Sequence, residues 1–332
     1  MQLTLGEIAK AVGGSCPSGA MELKINSVVT DSRHIVPDCL FVALKGERFD
    51  GHAYVDEAFR QGAGAVLVSE QVDSLEAPQL LCADTRLGLG LLARYWRQQW
   101  SSGPLVAITG NSGKTTVKEV TAALLQSLGP VHATRGNLNN DFGAPLTLLG
   151  LAEQHRAAVV ELGANHIGEI AWTTLLAQPQ VAVITNVTGA HVGEFGGMGM
   201  IAQAKGEILS GLPADGVAVL NHDDHYFSFW QQCAWPRRII SFGFHPSADV
   251  TATSLTCDPE GRYCFELRWQ GKVLGRVSLA LVGRHNVLNA LASAAVALSL
   301  EIAPDDVVKR LSNLQSLPGR LNLVPGVRGS RL

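Results

Sequence analysis

The sequence lacks the features that mark secreted, membrane-embedded and nucleic-acid-binding proteins. Its N-terminus has no basic segment followed by an apolar one, so no signal peptide is predicted. The longest apolar run, residues 290–300, is too short to cross a bilayer. A formal net charge of −3 offers no strongly basic surface to nucleic acid. The six cysteines are scattered without Cys-x-x-Cys spacing, which predicts reduced core thiols in a cytoplasmic protein.

The length of 332 residues, without internal repeats or low-complexity linkers, favours two α/β domains. Residues 1–84 alternate short strands with helices, which predicts a small first domain. Its first helix should begin after Thr4, because Thr4 and Glu7 have the spacing of a capping box, and should stop at Gly13. Residues 85–318 predict the second domain, and residues 319–332 are too few for a third.

In the second domain, apolar strands alternate with helices. The predicted strands are residues 105–109, 157–161, 181–187 and 217–220, and the predicted helices between them are 114–128, 169–177 and 199–210. This alternation indicates a parallel sheet covered on both faces, with the carboxyl ends of its strands on one edge. Residues 238–282 alternate apolar with polar positions, which predicts antiparallel strands beside that sheet. Two more helices are expected at 286–300 and 305–314.

One stretch combines a strand, a glycine turn and the start of a helix. After the strand at 105–109 come Gly110, Asn111, Ser112 and Gly113, and the helical pattern begins with Lys114, Thr115 and Thr116. Free N–H groups and the dipole at a helix N-terminus attract an anion, and glycine lets the backbone approach it closely. Lys114 is therefore expected to reach the β- and γ-phosphates of a nucleotide, and the Thr115 hydroxyl to bind Mg²⁺.

The match to a phosphate-binding loop departs from the usual pattern at one position. The usual pattern begins with a glycine where this chain has Ile108, so the loop is a shorter form. The alternative is an ordinary strand–turn–helix corner. The buried strand before the loop and the helix after it favour nucleotide binding.

Three further candidates follow predicted strands or lie in a helix. Glu161 ends a strand, where it could bind nucleotide-bound Mg²⁺ or instead cap the helix that begins near residue 167. His191 follows the next strand on the same edge, as a metal-site residue or as an ordinary polar side chain. Lys205 would by default be a solvated surface lysine.

Amide side chains form two other candidate groups. The loop 136–143, which includes Asn139 and Asn140, is either a turn cluster or a set of donors and acceptors for a polar substrate. Asn286 and Asn289 lie three apart on one helix face, where an amide could bind an adenine edge or cap the helix. Arg320 could reach a phosphate or be an ordinary surface charge.

These segments in this order resemble the Mur ligases of peptidoglycan synthesis. The string Thr109-Gly-Asn-Ser-Gly-Lys-Thr-Thr116 is similar to the short phosphate loop of that family. Longer strings at residues 38–52, 136–141 and 161–170 resemble the member that joins D-alanyl-D-alanine to UDP-N-acetylmuramoyl-tripeptide. The resemblance covers nearly the whole chain, and strings of this length are specific.

The resemblance implies a first domain for the UDP end of the substrate and a second for ATP and Mg²⁺. On matching positions, Asp31, Ser32 and Arg33 would lie near the uridine diphosphate, and Asn139 and Asn140 near the muramoyl-peptide. The residues implied for ATP and metal are Gly110, Asn111, Ser112, Gly113, Lys114, Thr115, Thr116, Asn289 and Arg320 for the nucleotide, with Thr115, Glu161, His191 and Lys205 in the metal sites. Lys114, His191 and Lys205 would be catalytic, and Lys205 matches a lysine that is carbamylated in related ligases.

The family has a third, Rossmann-like domain, which is expected to be absent from this chain. That domain follows a Gly-Arg-Leu segment, and here Gly319-Arg-Leu321 comes about a dozen residues before the end. Two hypotheses follow: the chain is the ligase or its catalytic portion, or it is a truncated module that binds ATP and UDP-substrate but ligates poorly. A monomer is expected, with small-molecule substrates and no nucleic-acid or membrane partner.

Overall fold

The computed structural model describes residues 2–46, 49–73, 76–189 and 192–314, without the side chains of Val192 and Glu194. Its α/β architecture confirms the fold class expected from the sequence. The elements in chain order are β1 Leu3–Thr4, α1 Leu5–Val12, β2 Lys24–Ile25, β3 Ser27–Val29, β4 Cys39–Val42, α2 Val55–Arg60, β5 Ala65–Val68, β6 Gln79–Leu81, α3 Thr85–Gln99, β7 Leu105–Thr109, α4 Lys114–Leu125, β8 Val131–Ala133, α5 Gly143–Leu149, β9 Ala157–Glu161, α6 Glu169–Ala177, β10 Val181–Ile184, α7 Val192–Phe195, α8 Met198–Gly206, β11 Val217–Asn221, α9 Phe227–Ala234, β12 Arg238–Gly243, β13 Val250–Cys257, β14 Arg262–Trp269, β15 Lys272–Val282, α10 Arg284–Ser299 and α11 Pro304–Ser312.

The chain divides into two compact units. The first contains Met1–Ser101, Gly136–Glu153 and Leu175–Ala177, and the second contains Ser102–Arg135, Gln154–Thr174 and Gln178–Leu332. This division differs from the boundary at residue 84, since α3 and α5 are grouped with the first unit. The domain boundaries drawn from the sequence stay a prediction, and residues 319–332 lie outside the described part of the chain.

In the first unit, four parallel strands form one sheet in the order β3, β4, β5, β6. Strands β4 and β5 are buried along their whole length, as expected for a parallel sheet. The capping box predicted at the N-terminus is present: the Glu7 N–H donates to Thr4 Oγ1 at 3.2 Å, and Glu7 Oε2 accepts from the Thr4 N–H at 2.7 Å. Helix α1 ends at Gly13, whose φ of 65° is left-handed.

In the second unit, nine strands form one sheet in the order β15, β14, β13, β12, β11, β10, β7, β9, β8. Strands β7 to β12 run parallel to one another in this sheet, which confirms the parallel sheet expected from the sequence. The chain runs from β7 to β8 and β9 on one side, and then to β10 on the other side of β7. The carboxyl end of β7 is therefore a topological switch point, where ligands of open α/β sheets bind.

The antiparallel strands predicted over residues 238–282 are only partly correct. Strand β12 is parallel to β11, and the start of β13 is parallel to β12, while β13, β14 and β15 are antiparallel. The reason is helix α9, which the sequence did not predict and which returns the chain so that β12 runs in the same direction as β11. Its polar and aromatic residues give a weak helical signal, and the helix is fixed by Trp230, whose fully buried indole N–H donates to the Ala202 carbonyl at 2.9 Å.

Helices α4, α10 and α11 contribute apolar side chains to the main core of the second unit. Val117, Val120 and Leu124 of α4 pack in that core with residues from the strands and from α10. This packing fixes α4 against the sheet. Its N-terminus follows β7 after four loop residues, at the carboxyl edge.

The cysteines are less buried than the sequence indicated. Cys39 and Cys82 are buried, but Cys233 and Cys257 are exposed, and all six are free thiols. The expectation of core thiols is therefore wrong for the two exposed residues.

Candidate active site

The turn after β7 has backbone angles and close contacts that require glycine. Gly110 has a φ of 141°, and a Cβ there would collide with the Thr185 hydroxyl. Gly113 has a φ of 83°, and its Cβ would collide with Asn289 Oδ1. Both positions combine an unusual backbone angle with a close neighbour, so the short loop depends on both glycines.

Polar residues at the end of β10 hold this loop. Thr185 Oγ1 donates to the Ser112 carbonyl at 2.7 Å, and Asn186 Nδ2 donates to the same oxygen at 3.1 Å. Asn186 Oδ1 accepts from the Ser112 N–H at 3.0 Å, and its carbonyl accepts from the Asn111 N–H at 3.0 Å. The N–H groups of Asn111 and Ser112 are thus bound within the protein. The N–H groups of the first turn of α4, which have no intrahelical acceptor, are the ones suited to an anion.

The sequence did not identify Thr185 and Asn186 as functional residues. Both directly follow a fully buried strand, and a polar pair at that position is the signal that could have indicated them.

Lys114 begins α4 and folds over the loop. Its Nζ donates to the Gly110 carbonyl at 2.9 Å and to the Asn111 carbonyl at 3.2 Å, and the residue is half-buried. The ammonium group therefore lies at the phosphate loop, with Thr115 and Thr116 after it in the first turn. This arrangement combines a cation, a hydroxyl and helix N–H groups at one sheet edge.

Glu161 ends β9 and is 2% exposed. It lies opposite Ile108 in the β7–β9 ladder, and its N–H donates to Thr134 Oγ1 at 3.0 Å. The alternative role as a helix cap is wrong, because Glu207 has that role. The Glu207 carboxylate accepts from the N–H groups of Gly168 and Ala171, at 2.7 and 3.0 Å, at the start of α6.

Lys205 is 4% exposed, so its default interpretation as a surface lysine is wrong. The pKa of Lys205 is lowered to about 8, chiefly by burial and next by the nearby positive charge of Lys114, while Glu169 and Glu207 act in the opposite direction. Its Nζ is 5.5 Å from the centre of the Phe195 ring. A buried amine with a pKa near 8 exists partly in the neutral, nucleophilic form at physiological pH.

Asn286 and Asn289 are hydrogen-bonded to each other in the first turns of α10. Asn289 Nδ2 donates to Asn286 Oδ1 at 2.9 Å, and Asn286 Nδ2 donates to the Val282 carbonyl at 2.8 Å. The N-cap residue of α10 is Gly283, so the helix-capping alternative for Asn286 is wrong. Asn289 lies against Gly113 of the phosphate loop, and its contact with adenine stays a prediction.

Asp31, Ser32 and Arg33 line a pocket of about 720 Å³ in the first unit. The other lining residues are Thr30, Leu44, Lys45, Gly46, Phe49, Tyr54, Arg86 and Phe142. Arg33 donates twice to Asp31, from Nε at 2.9 Å and from a terminal nitrogen at 2.6 Å, and these hydrogen bonds hold the pKa of Asp31 far below its usual range.

The sequence did not identify the aromatic and basic residues of this pocket. Phe49 and Tyr54 are stacked with ring centres 5.3 Å apart, although both side chains are exposed. Arg86 is paired with Asp141, and Lys45 Nζ is 3.4 Å from Asp50. Exposed, stacked aromatic rings beside basic side chains are suited to a planar, anionic ligand.

Asn139 and Asn140 also belong to the first unit, in the turn before α5. Asn140 Oδ1 accepts from the Gly143 N–H at 2.9 Å, which agrees with the turn-cluster alternative for that oxygen. Contact of either residue with a substrate stays a prediction. His191 and Arg320 lie outside the described residues.

These features define a nucleotide-binding α/β protein. A glycine loop at a helix N-terminus, a lysine above it and a buried carboxylate on the next strand are the parts of a triphosphate site. In the part of the chain that the structure describes, every helix is too short or too polar to span a lipid bilayer.

Comparisons with known proteins identify the family. Residues 108–297 match the Mur ligase middle domain, and residues 24–94 match the catalytic domain of the Mur ligase family. The chain is 45% identical over 324 residues to UDP-N-acetylmuramoyl-tripeptide–D-alanyl-D-alanine ligase of Escherichia coli, covering 97% of this chain and 70% of that protein. The enzyme of the same name from Haemophilus influenzae is 42% identical over 307 residues, covering 91% and 66%. This chain belongs to the Mur ligase family of ATP-dependent ligases.

Solved structures give the same result. MurF from Acinetobacter baumannii matches with a TM-score of 0.93 and 40% identity, covering 99% of this chain and 72% of that chain. MurF ligase from Thermotoga maritima in complex with ADP matches with a TM-score of 0.80 and 31% identity, covering 90% and 68%. The chain therefore spans about two thirds of the length of the relatives that it matches.

Replacing Asn186 should weaken nucleotide binding. Asn186→Ala removes the two side-chain hydrogen bonds to Ser112, and we expect the Kd for ADP to rise by up to about 30-fold, because two such bonds contribute roughly 2 kcal/mol together. Isothermal titration calorimetry measures the Kd. Asn26→Ala, the same change at an exposed residue, is the control and should leave the Kd unchanged. An unaltered Kd in Asn186→Ala would show that the loop does not need this contact.

Proposed function

We propose that this chain contains the ATP-binding and UDP-substrate-binding parts of a ligase that adds D-alanyl-D-alanine to UDP-N-acetylmuramoyl-tripeptide in peptidoglycan precursor synthesis. The names of the relatives support this activity. The observation on which the proposal depends is the position of Lys114 and the start of α4 at the end of β7, on the sheet edge where β9 ends in Glu161.

In this proposal, α4 binds the phosphates of ATP. The N–H groups of its first turn and the Lys114 ammonium would surround the β- and γ-phosphate oxygens. The Lys114 ammonium donates to neutral carbonyl oxygens of its own loop. When ATP binds, charged phosphate oxygens would take the place of these carbonyl oxygens as acceptors. Asn289, which lies against Gly113, would contact the nucleotide at its adenine, and Arg320 the phosphates.

The donor set beside the loop fits Mg²⁺. This ion prefers oxygen ligands, and the Thr115 hydroxyl and the buried Glu161 carboxylate supply oxygen atoms. The Thr109 hydroxyl, at the end of β7, is buried and has no hydrogen-bond partner among the described residues, so within that part of the chain the edge also contains an unsatisfied oxygen. Thr115 and Glu161 would hold the ion, with His191 and a carbamylated Lys205. When bound, Mg²⁺ would neutralise charge on the transferred phosphate.

The proposed reaction forms an amide bond through an acyl phosphate. The terminal carboxylate of the tripeptide attacks the γ-phosphorus of ATP, which gives an acyl phosphate and ADP. The amine of D-alanyl-D-alanine then attacks the acyl carbon and releases phosphate. Lys114 would offset negative charge on the phosphoryl oxygens, and the loop would keep the γ-phosphate aligned, so the protein contributes mainly alignment and charge neutralisation.

The uridine nucleotide end of the substrate is assigned to the pocket of the first unit. Its volume of about 720 Å³ is in the usual range for small-molecule sites. Phe49 and Tyr54 would stack on the base, and Ser32, Arg33 and Lys45 would bind the diphosphate. Asn139 and Asn140 are assigned to the muramoyl-peptide. The protein would act on soluble precursors in the cytoplasm, as a monomer.

Replacing Lys114 should remove most of the nucleotide affinity. Lys114→Ala deletes the ammonium at the phosphate loop, and we expect the Kd for ATP to rise by roughly 10- to 100-fold, because hydrogen bonds to charged groups contribute about 1.5–3 kcal/mol each. Calorimetry with ATP and Mg²⁺ measures the effect. Lys10→Ala, at an exposed position of α1 in the first unit, is the matched control. Wild-type affinity in Lys114→Ala would rule out the phosphate role.

Release of ADP distinguishes the ligase from the alternative, a module that binds both substrates without closing the amide bond. The alternative arises because the chain spans about two thirds of its relatives. The 332-residue chain is assayed with ATP, UDP-N-acetylmuramoyl-tripeptide and D-alanyl-D-alanine. We expect binding of ATP and of the UDP-substrate, with slow ADP release. Full turnover would contradict the module hypothesis, and failure to bind either substrate would contradict both.

Carbamylation of Lys205 should depend on pH. The neutral amine attacks CO₂, and because the pKa of Lys205 is lowered to about 8, the neutral fraction increases as the pH rises through 8. We expect a carbamate signal in ¹³C NMR spectra recorded in ¹³C-bicarbonate, stronger at pH 8.5 than at pH 6.5. Lys205→Arg is the control and should lose that signal. A spectrum identical to that of Lys205→Arg would exclude the modification.

A further inference from the structure

One wall of the 720 Å³ pocket in the first unit is a short segment with its own hydrogen bonds. We call Lys45–Gly46 together with Phe49–Tyr54 the pocket wall; Lys45, Gly46, Phe49 and Tyr54 line the pocket. The Gly46 N–H donates to the Phe49 carbonyl, and the Gly51 N–H donates to the Leu44 carbonyl, each at 2.8 Å. Lys45 and Asp50 form an isolated antiparallel bridge. These bonds fold the pocket wall back on the end of β4.

His52 connects this segment to a second strand. The His52 side chain is 8% exposed, and its Nδ1 is 2.6 Å from Asp50 Oδ1. On the other side of the ring, Nε2 accepts from the Ser69 backbone N–H at 3.0 Å and is 3.1 Å from Ser69 Oγ. Ser69 directly follows β5. The ring therefore joins the pocket wall to the carboxyl end of the central strand β5.

These hydrogen bonds determine the state of the ring. A backbone N–H can only donate, so Nε2 is an acceptor and the proton lies on Nδ1, where it is donated to Asp50. Asp50 Oδ1 also accepts from the His52 N–H at 3.0 Å, and these bonds lower the pKa of Asp50. The other carboxylate oxygen of Asp50 is 3.4 Å from Lys45 Nζ, a cation of the pocket. One carboxylate thus contacts both the buried ring and the pocket cation.

The same residues allow two other interpretations, which the hydrogen bonds disfavour. Asp50, His52 and Ser69 have the order of a hydrolase triad, but Nε2 already accepts a backbone N–H from the residue that would be the nucleophile. Asp50, His52 and Glu70 have donor atoms within 4.8 Å of one another, as in a metal site. Both ring nitrogens are engaged in hydrogen bonds, so neither is available to a metal ion.

We propose that Asp50, His52 and Ser69 form a clamp that positions the pocket wall and thereby sets the affinity for the uridine nucleotide end of the substrate. The inference rests on the proposed function, because it assumes that this pocket binds that nucleotide. His52 itself does not line the pocket. It acts on residues that do line the pocket. It positions Lys45 through Asp50, and it positions Phe49 and Tyr54 through the backbone on either side of His52.

The test compares two ligands that bind to different units. Calorimetry measures the Kd of the 332-residue chain for UDP-N-acetylmuramoyl-tripeptide and, separately, for ADP. In His52→Ala we expect the Kd for the UDP-substrate to rise at least tenfold and the Kd for ADP to stay unchanged. His225→Ala, at an exposed histidine of the second unit, is the matched control and should change neither. Unfolding of the whole chain would weaken the binding of both ligands, so a selective loss confines the effect to the first unit, and the Gln and Asn variants then separate positioning from local unfolding of that unit.

Conservative variants separate the two halves of the clamp. His52→Gln keeps an acceptor near the Nε2 position and should recover part of the affinity, whereas His52→Asn keeps only the contact with Asp50 and should bind as weakly as His52→Ala. Ser69→Ala keeps the backbone N–H and should bind like the wild type. If His52→Ala does not fold, the order of the Gln and Asn variants decides, and equal affinities in those two would overturn the clamp.

The remaining outcomes separate the clamp from the proposed function. The clamp would be overturned if a folded His52→Ala bound UDP-N-acetylmuramoyl-tripeptide as tightly as the wild type does. It would also be overturned if, with no other metal present, Zn²⁺ or EDTA changed the affinity of the wild-type chain for that ligand. Either result would leave the ligase assignment intact. Failure of the wild-type chain to bind UDP-N-acetylmuramoyl-tripeptide would overturn the proposed function, and the clamp's role with it.

Discussion

The reciprocal hydrogen bonds between Ser112 and Asn186 are the constraint on which the nucleotide site depends. Ser112 donates to the side chain of Asn186 and accepts from it, while Thr185 donates to the same Ser112 carbonyl. The loop backbone passes so close to β10 that Gly110 cannot have a Cβ. A loop that is held by the neighbouring segment is ordered by the protein's own hydrogen bonds, so little ordering entropy would be lost on binding a phosphate there.

Electrostatics at this edge favour an anion. Lys114 and the buried Lys205 repel each other. Burial is the largest cause of the low pKa of Lys205, and this repulsion is the second. Because the folded-state pKa is below the unfolded value, the charged form of Lys205 destabilises the fold below pH 8, and the cost disappears as the pH rises from 8 towards 10.5. A triphosphate would offset the same repulsion. Binding and stability are therefore coupled through one pair of lysines.

Much of the fold follows from local sequence signals. The strand Leu105–Thr109, the capping box at Thr4 and the alternation of strands and helices predict elements that the structure contains. The direction of β12 did not follow, because it depends on α9, a helix fixed by the packing of Trp230. The site was predictable to a similar degree. Glycine and lysine spacing indicates the phosphate loop, but nothing local indicates that Asn186, far along the chain, would hold it.

The sequence by itself determined the chemistry of the loop, because Gly110, Gly113 and Lys114 lie within five residues of one turn. Their spacing can be recognised without knowing any distant partner. Only the tertiary structure decided the environment of single side chains. Lys205 is buried and has a lowered pKa, the helix α6 is capped by Glu207 and not by Glu161, and His52 joins the pocket wall to the end of β5. The physical reason is that burial and hydrogen-bond partners depend on which segments pack together, and a residue's type does not specify its neighbours in space.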